Sequence, residues 1–217
     1  MTYLQRDLAL MGYDIRIPAM NLRQFWQMLA HTHGQLTNIS QLAMNMELSR
    51  QSIRKYIDIL HETFMIHQLQ PFHVNLKKRL VKSPKIFIRD SGVYHTLMGI
   101  NTFQELAGHP ILGMSWEGFC IEQILSQLPR GWSSFFYRTQ AGAEIDLILQ
   151  ERYGEVPIFV EFKYSQTPKL SKGFWEAKSD LQPKASYIIY PGSKVYPLSK
   201  SVEILPLSKI DVIWRNA

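Results

Sequence analysis

Three acids and one lysine stand where stability alone would not choose them. In a helix read from Trp116 to Leu128, Glu117 precedes Cys120, Ile121, Ile124 and Leu128 at i+3, i+4, i+7 and i+11. That is the apolar stripe, so Glu117 is expected to point toward a sheet, where an unpaired carboxylate is costly. In a strand over Ala143 to Gln150, Ile145, Leu147 and Leu149 take one face and Glu144, Asp146 and Ile148 the other. In a strand over Val156 to Tyr164, Glu161 and Lys163 share a face with Phe159, about 6–7 Å apart along the strand. A hairpin through Glu151-Arg152-Tyr153-Gly154 would bring Asp146 and Glu161 side by side with Lys163 next to them.

Two carboxylates on a rigid scaffold suit Mg²⁺ or Mn²⁺, which binds through oxygen and keeps several waters. Such a metal acidifies a bound water and neutralises charge on a phosphodiester, and a lysine beside it can orient that water or stabilise the charge that develops. Asp146 and Glu161 are the expected metal ligands, with Glu117 and Lys163 completing the expected catalytic set. The same residues also read as a Glu161–Lys163 surface salt bridge with Asp146 solvated, and spacing alone does not choose between the two.

The elements that must carry these residues form an α/β unit: the Trp116 helix, strands over Trp132–Arg138, 143–150 and 156–164, a charged helix over 169–181 and a strand over 185–190. The first half reads differently. A helix opening at Asn21 carries Leu22, Phe25, Trp26 and Leu29 on one side. A second helix starts near Asn38, and after a break at Asn45-Met46-Glu47-Leu48 a third is capped by Ser49 and runs to about Glu62. In the third, Ile53, Ile57 and Leu60 face inward while Arg50, Gln51, Arg54 and Lys55 lie outside. Two short helices, a tight turn and a polar-faced helix form a helix-turn-helix pattern. Strands over Met65–Leu69 and Lys85–Arg89 flank a connector holding Lys77, Lys78, Arg79 and Lys82, which reads as a basic wing. The expected fold is therefore α+β, with a winged helix over 1–108 and an α/β domain over 109–217. The expected nucleic-acid contacts are the outer residues of the third helix and the wing cations, mostly to phosphate.

Composition narrows the classes. Across 217 residues, 24 Lys and Arg against 18 Asp and Glu leave a formal charge of +6, which favours a polyanionic partner such as DNA. The single cysteine, Cys120, makes neither an internal disulfide nor a zinc site and reads as a core residue in a cytoplasmic chain. No apolar run reaches the ~18–20 residues of a membrane span, so no membrane partner is expected. Gly108 and Gly113 have phosphate-loop spacing, but Met114 stands where that motif needs lysine. The seven histidines are too scattered for a zinc site.

Gly142-Ala143-Glu144-Ile145-Asp146 followed by Val160-Glu161-Phe162-Lys163 resembles the PD-(D/E)xK nuclease superfamily, whose Holliday-junction resolvases show a similar E-x-D…E-V-K arrangement. The wider chain resembles the C-terminal half of predicted AAA-type ATPases that end in a domain of unknown function. The matching motifs, in order, are Tyr3-Leu4-Gln5-Arg6-Asp7, Lys82-Ser83-Pro84-Lys85-Ile86-Phe87, Asp90-Ser91-Gly92, Trp116-Glu117-Gly118-Phe119 and the two strand motifs. The resemblance implies a restriction-endonuclease-like second domain, with Glu117, Asp146, Glu161 and Lys163 as the nuclease-type site. It also implies an ATPase module as a partner, absent from this chain, which would then be a fragment or gene remnant. A DNA-binding protein with a Mg²⁺-dependent endonuclease-like domain is the expected function. A binding or regulatory module without turnover is the alternative.

Overall fold

The computed structural model describes residues 19–73, 79–152 and 156–215. They divide into two compact units. The first holds the described residues up to Gln68 together with Lys85–Ala107, and the second holds Leu69–Pro84 together with the described residues from Gly108 onward.

In the first unit, helix α1 (Ala19–His31) buries Leu22, Phe25, Leu29 and Ala30, the stripe its spacing requires. Asn21 is not its cap, because the helix already begins at Ala19. Helix α2 (Ile39–Asn45) opens at Asn38, whose side-chain oxygen accepts the Gln41 N–H at 3.0 Å. The chain turns through Glu47 at φ 54°, with the Leu48 N–H donating to the Ala43 carbonyl. Ser49 then caps helix α3 (Arg50–Glu62), accepting from the Ser52 N–H. Ile53, Ile57, Ile59 and Leu60 are its buried face.

Strand β1 (Ile66–Pro71) begins in this unit, which also holds strand β2 (Lys85–Ile88) and helices α4 (Ser91–Leu97) and α5 (Phe103–Ala107). His33 ties the end of α1 to them. Its ring stacks on Tyr94 at 4.0 Å, and its Nδ1 accepts the Ile88 N–H at 3.0 Å.

The second unit is built on a sheet in the order β1-β3-β4-β5-β6-β8-β7. Its strands are β3 (Trp132–Arg138), β4 (Glu144–Glu151), β5 (Ile158–Phe162), β6 (Ala185–Tyr190), β7 (Tyr196–Ser199) and β8 (Val202–Pro206). The last residues of β1 pair with β3 in parallel, β3, β4 and β5 are antiparallel, and β5, β6 and β8 are parallel. Helix α6 (Leu112–Ser126) precedes the sheet, and helix α7 (Lys172–Leu181) makes the crossover that a parallel β5–β6 pair demands. A 3₁₀ turn (Leu207–Lys209) and helix α8 (Val212–Arg215) follow β8.

The core packs Phe159, Ile148, Ile188 and Ile204 of the sheet against Phe174 and Ala177 of α7. Gly173 lets α7 approach closely, since a Cβ there would lie 2.6 Å from the Gly142 carbonyl oxygen.

Of the connector read as a wing, Lys77 and Lys78 lie outside the described residues. Its described part runs along β3. Phe72 donates its N–H to Phe136, Val81 donates to Arg138, and Leu80 bridges Thr139.

Candidate functional site

Strands β4 and β5 carry the acid pair. Their register sets Ile148 opposite Phe159, both in the core. Two residues further on, the same face passes from apolar side chains to Asp146 and Glu161. Each carboxylate is pinned by the opposite strand: the Asp146 N–H donates to Glu161 Oε1 at 3.2 Å, and the Phe162 N–H donates to Asp146 Oδ2 at 3.1 Å. One oxygen of each carboxylate is thus aimed by a backbone amide of the opposite strand.

Lys163 closes the cluster. Its Nζ donates to Glu161 Oε2 at 2.7 Å and stands 3.7 Å from Asp146 Oδ2. The two oxygens that face this one ammonium can therefore be no further apart than those two contacts end to end, 6.4 Å. Its backbone is held by the Lys163 N–H bonding the Ile189 carbonyl at 3.0 Å, so the lysine is set by the β5–β6 pairing.

Burial sets the electrostatics. The Glu161 side chain is 5% exposed and that of Asp146 15%, against 32% for Lys163. Burial, and then the neighbouring Asp146 charge, push the Glu161 carboxyl up to about 8 although Lys163 pulls the other way. For Lys163, burial acts to lower the ammonium. The charges of Asp146 and Glu161, the hydrogen bond to Glu161 and the charge of Glu117 outweigh it, and its pKa is raised. The two tendencies agree once charges are counted. One ammonium balances one carboxylate, and the more buried acid resists becoming a second uncompensated charge.

Glu117 sits half-buried on α6 within electrostatic reach of Lys163 and of Cys120. Cys120 itself is fully buried, and its thiol is pushed up by that burial and by Glu117, so it is a core residue with no nucleophilic character. The structure thus brings Asp146, Glu161 and Lys163 into one cluster with Glu117 at its edge. Lys163 Nζ lies 2.7 Å from Glu161 Oε2, but Glu161 is buried and Asp146 is mostly covered, which differs from a solvated surface bridge.

Among the described residues, no group of three or more His, Cys, Asp or Glu is placed to hold a metal ion. The pair Asp146 and Glu161 still suits Mg²⁺ by donor chemistry, because that ion is commonly held through one or two carboxylates plus water. Both oxygens already face a cation, the Lys163 ammonium.

The candidate nucleic-acid residues fall in two places. Arg50, Gln51, Arg54 and Lys55 are exposed on α3 of the first unit. They line a shallow concavity with Ser52, Asp58, Ile59 and Glu62, so its N-terminal half is cationic and its C-terminal half carries acids. Arg79 and Lys82 are exposed in the second unit. The Arg79 carbonyl accepts the Gln140 N–H, which fixes that backbone beside the β3–β4 turn. Two features went unread in the sequence. The backbone amides that aim the carboxylates leave no sequence signal. The rings of Trp116, Phe119 and Tyr164 did leave one, being neighbours in sequence of Glu117 and Lys163.

Known proteins resemble this chain along nearly its whole length. Two family models, each describing a domain of unknown function, match residues 1–104 (DUF8612) and 112–210 (DUF4143). Two domains of unknown function cover the chain. The second is common in AAA-ATPase-associated proteins. Uncharacterized proteins of Mycobacterium bovis and Mycobacterium tuberculosis are each 41% identical over 209 residues. The match covers 96% of this chain and 46% of each relative, so the chain spans about half the length of the curated relatives it matches. No solved structure matches. Among the described residues, no helix is long and apolar enough to cross a membrane.

Proposed function

We propose that the second unit is a PD-(D/E)xK nuclease-like domain acting on DNA, and that the first is a helix-turn-helix DNA-binding unit. The observation that carries the reading is the crossed pinning of Asp146 and Glu161 by each other's strand, with Lys163 bridging both. Stability has no use for two carboxylates converging on the face that is core two residues earlier, whereas phosphodiester hydrolysis does.

In this reading Asp146 and Glu161 hold a divalent cation. When bound, it supplies an acidified water and neutralises phosphate charge. Glu161 must release its proton for this, and Lys163 Nζ must leave Glu161 Oε2. The freed ammonium then donates to the phosphodiester oxygen on which charge develops, or orients the attacking water. Glu117, at the edge of the cluster, holds Lys163 close by its charge. The N-terminal half of α3 supplies phosphate contacts through Arg50, Arg54 and Lys55, with Gln51 beside them, and Arg79 and Lys82 extend the cationic surface of the second unit. Lys77 and Lys78 belong to the same proposal from sequence alone. A separate ATPase module would deliver the substrate.

A second reading is favoured by one observation: Lys163 already neutralises the acid pair, as it would in a silent platform that binds DNA or a partner without turnover. Nicking of supercoiled plasmid by the purified chain with Mg²⁺ or Mn²⁺ separates the two. Metal-dependent nicking that falls ~10²–10³-fold in Lys163→Ala, while Glu161→Gln fails through weaker metal binding, supports the nuclease. Plasmid that is bound and never cut supports the platform.

A further inference from the structure

Adjoining Glu117 and Lys163 in the chain is a group of rings that the proposed chemistry does not use. Trp116 touches Tyr164 edge to face, with centroids 5.6 Å apart, and meets Phe119 at 6.3 Å. Trp116 is the chain neighbour of Glu117, and Tyr164 that of Lys163. The two outer rings are open: Phe119 is 38% exposed and Tyr164 40%.

Both are held on rigid backbone. Trp116 and Phe119 sit three residues apart on α6, so they meet on one side of it. Tyr164 follows the end of β5 in a segment fixed by the Lys163 N–H to Ile189 and the Ser165 N–H to the Lys163 carbonyl. Single exposed aromatics are ordinary on a protein surface. A mutually packed set with two open rings, next to an ammonium and two carboxylates, is a different arrangement.

We propose that Tyr164 and Phe119, backed by Trp116, form a stacking platform for an unpaired nucleobase, and that the substrate class is single-stranded or locally unpaired DNA. This rests on the nuclease reading of the Asp146–Glu161–Lys163 cluster. A ring face takes up any base, since every base has a π-face, but only a base that has left its own stack. In intact duplex the bases flanking a phosphodiester are stacked on one another and cannot reach Tyr164. A strand whose phosphate lies at Lys163 brings the adjacent base within one residue's reach of that ring.

The test measures binding in EDTA, so turnover does not enter. The fluorescence anisotropy of a labelled oligothymidylate, alone and annealed to oligodeoxyadenylate, is titrated with the full chain. The expected result is tighter binding of the single strand. Tyr164→Ala should weaken it at least about fivefold, Phe119→Ala should act in the same direction, and Tyr164→Phe should leave it unchanged. Duplex affinity should not move in any of the three. Equal affinity for both probes, or equal loss for both in Tyr164→Ala, would overturn the proposal. Unchanged duplex affinity in Tyr164→Ala excludes misfolding as the cause of a single-strand loss there. Ring-dependent binding together with absent metal-dependent cutting would remove the nuclease reading and leave the platform standing.

Discussion

Replacing Glu161 by Gln should change how stability depends on pH more clearly than it changes stability itself. The folded Glu161 carboxyl is pushed up to about 8, against an ordinary 4.5, by burial and by Asp146. Between those values the native state holds a proton that the unfolded chain has lost. The sign follows directly. The contribution is fully present below the unfolded value, fades as pH rises through the window, and is gone above the folded one. One proton corresponds to about 1.4 kcal/mol per pH unit.

Two other groups decide where to look. His67 is pushed down to about 4 by burial, by His61 and by Arg89, and it tilts stability the opposite way below about pH 6.5. Lys163 is raised, so its contribution is flat until pH passes its ordinary 10.5. The clean window is therefore pH 6.5 to 7.5. Urea unfolding of the wild-type chain across it should show a slope more negative by about 1.4 kcal/mol per pH unit than that of Glu161→Gln. The glutamine keeps an oxygen for the Asp146 N–H but turns an amide toward the Lys163 ammonium, so its absolute stability is a poorer readout than the slope. Equal slopes would mean that Glu161 is already ionised at neutral pH and simply paired with Lys163, and the charge balance argued for the cluster would be wrong.

Gly173→Ala should destabilise the second unit by roughly 1–3 kcal/mol in denaturant, because the new Cβ meets the Gly142 carbonyl at 2.6 Å and backbone must move. Any stabilisation would show that α7 can shift without cost. Arg50→Ala and Arg54→Ala should each lower the slope of log binding constant against log salt by about 0.9 on duplex DNA, uniformly across sequences. An unchanged slope places the DNA surface elsewhere. Asp90→Ala should cost about 1 kcal/mol, since Asp90 Oδ1 accepts the Val93 N–H at 2.8 Å and caps α4. A loss below a few tenths would mean that the cap is solvent-replaced.

Much of this architecture is legible in residue order. Ser49 and Asn38 announce their helices because a short polar side chain can take the orphan amide of a first turn, and both do so. Asn21 carries the same signal and fails as a cap, since α1 starts ahead of it and its apolar spacing is satisfied either way. Strands β3 to β6 were readable because buried strands are apolar runs with punctuated ends. Strands β7 and β8 were not: Tyr196-Pro197-Leu198-Ser199 is short, contains proline and pairs at the sheet edge, where alternation is weak. The basic connector read as a free wing because cation runs are usually solvated loops. That Phe72, Leu80 and Val81 would pair with β3 depends on a strand some 60 positions away, and no local pattern encodes it. The convergence of Asp146, Glu161 and Lys163 was legible because a two-residue period and one hairpin fix it. The amides that aim the two carboxylates were invisible, as every residue has one.

In the proposed site, Asp146 and Glu161 hold a divalent cation in place of the Lys163 ammonium. Crystals of the chain soaked in Mn²⁺ at alkaline pH, chosen because burial and Asp146 raise the Glu161 carboxyl, test it through the anomalous difference map. One strong peak is expected at about 2.0–2.2 Å from an oxygen of each carboxylate, with Lys163 Nζ withdrawn from Glu161, and no such peak in Asp146→Asn. A wild-type map with Lys163 still bridging the two acids and no peak between them would contradict it.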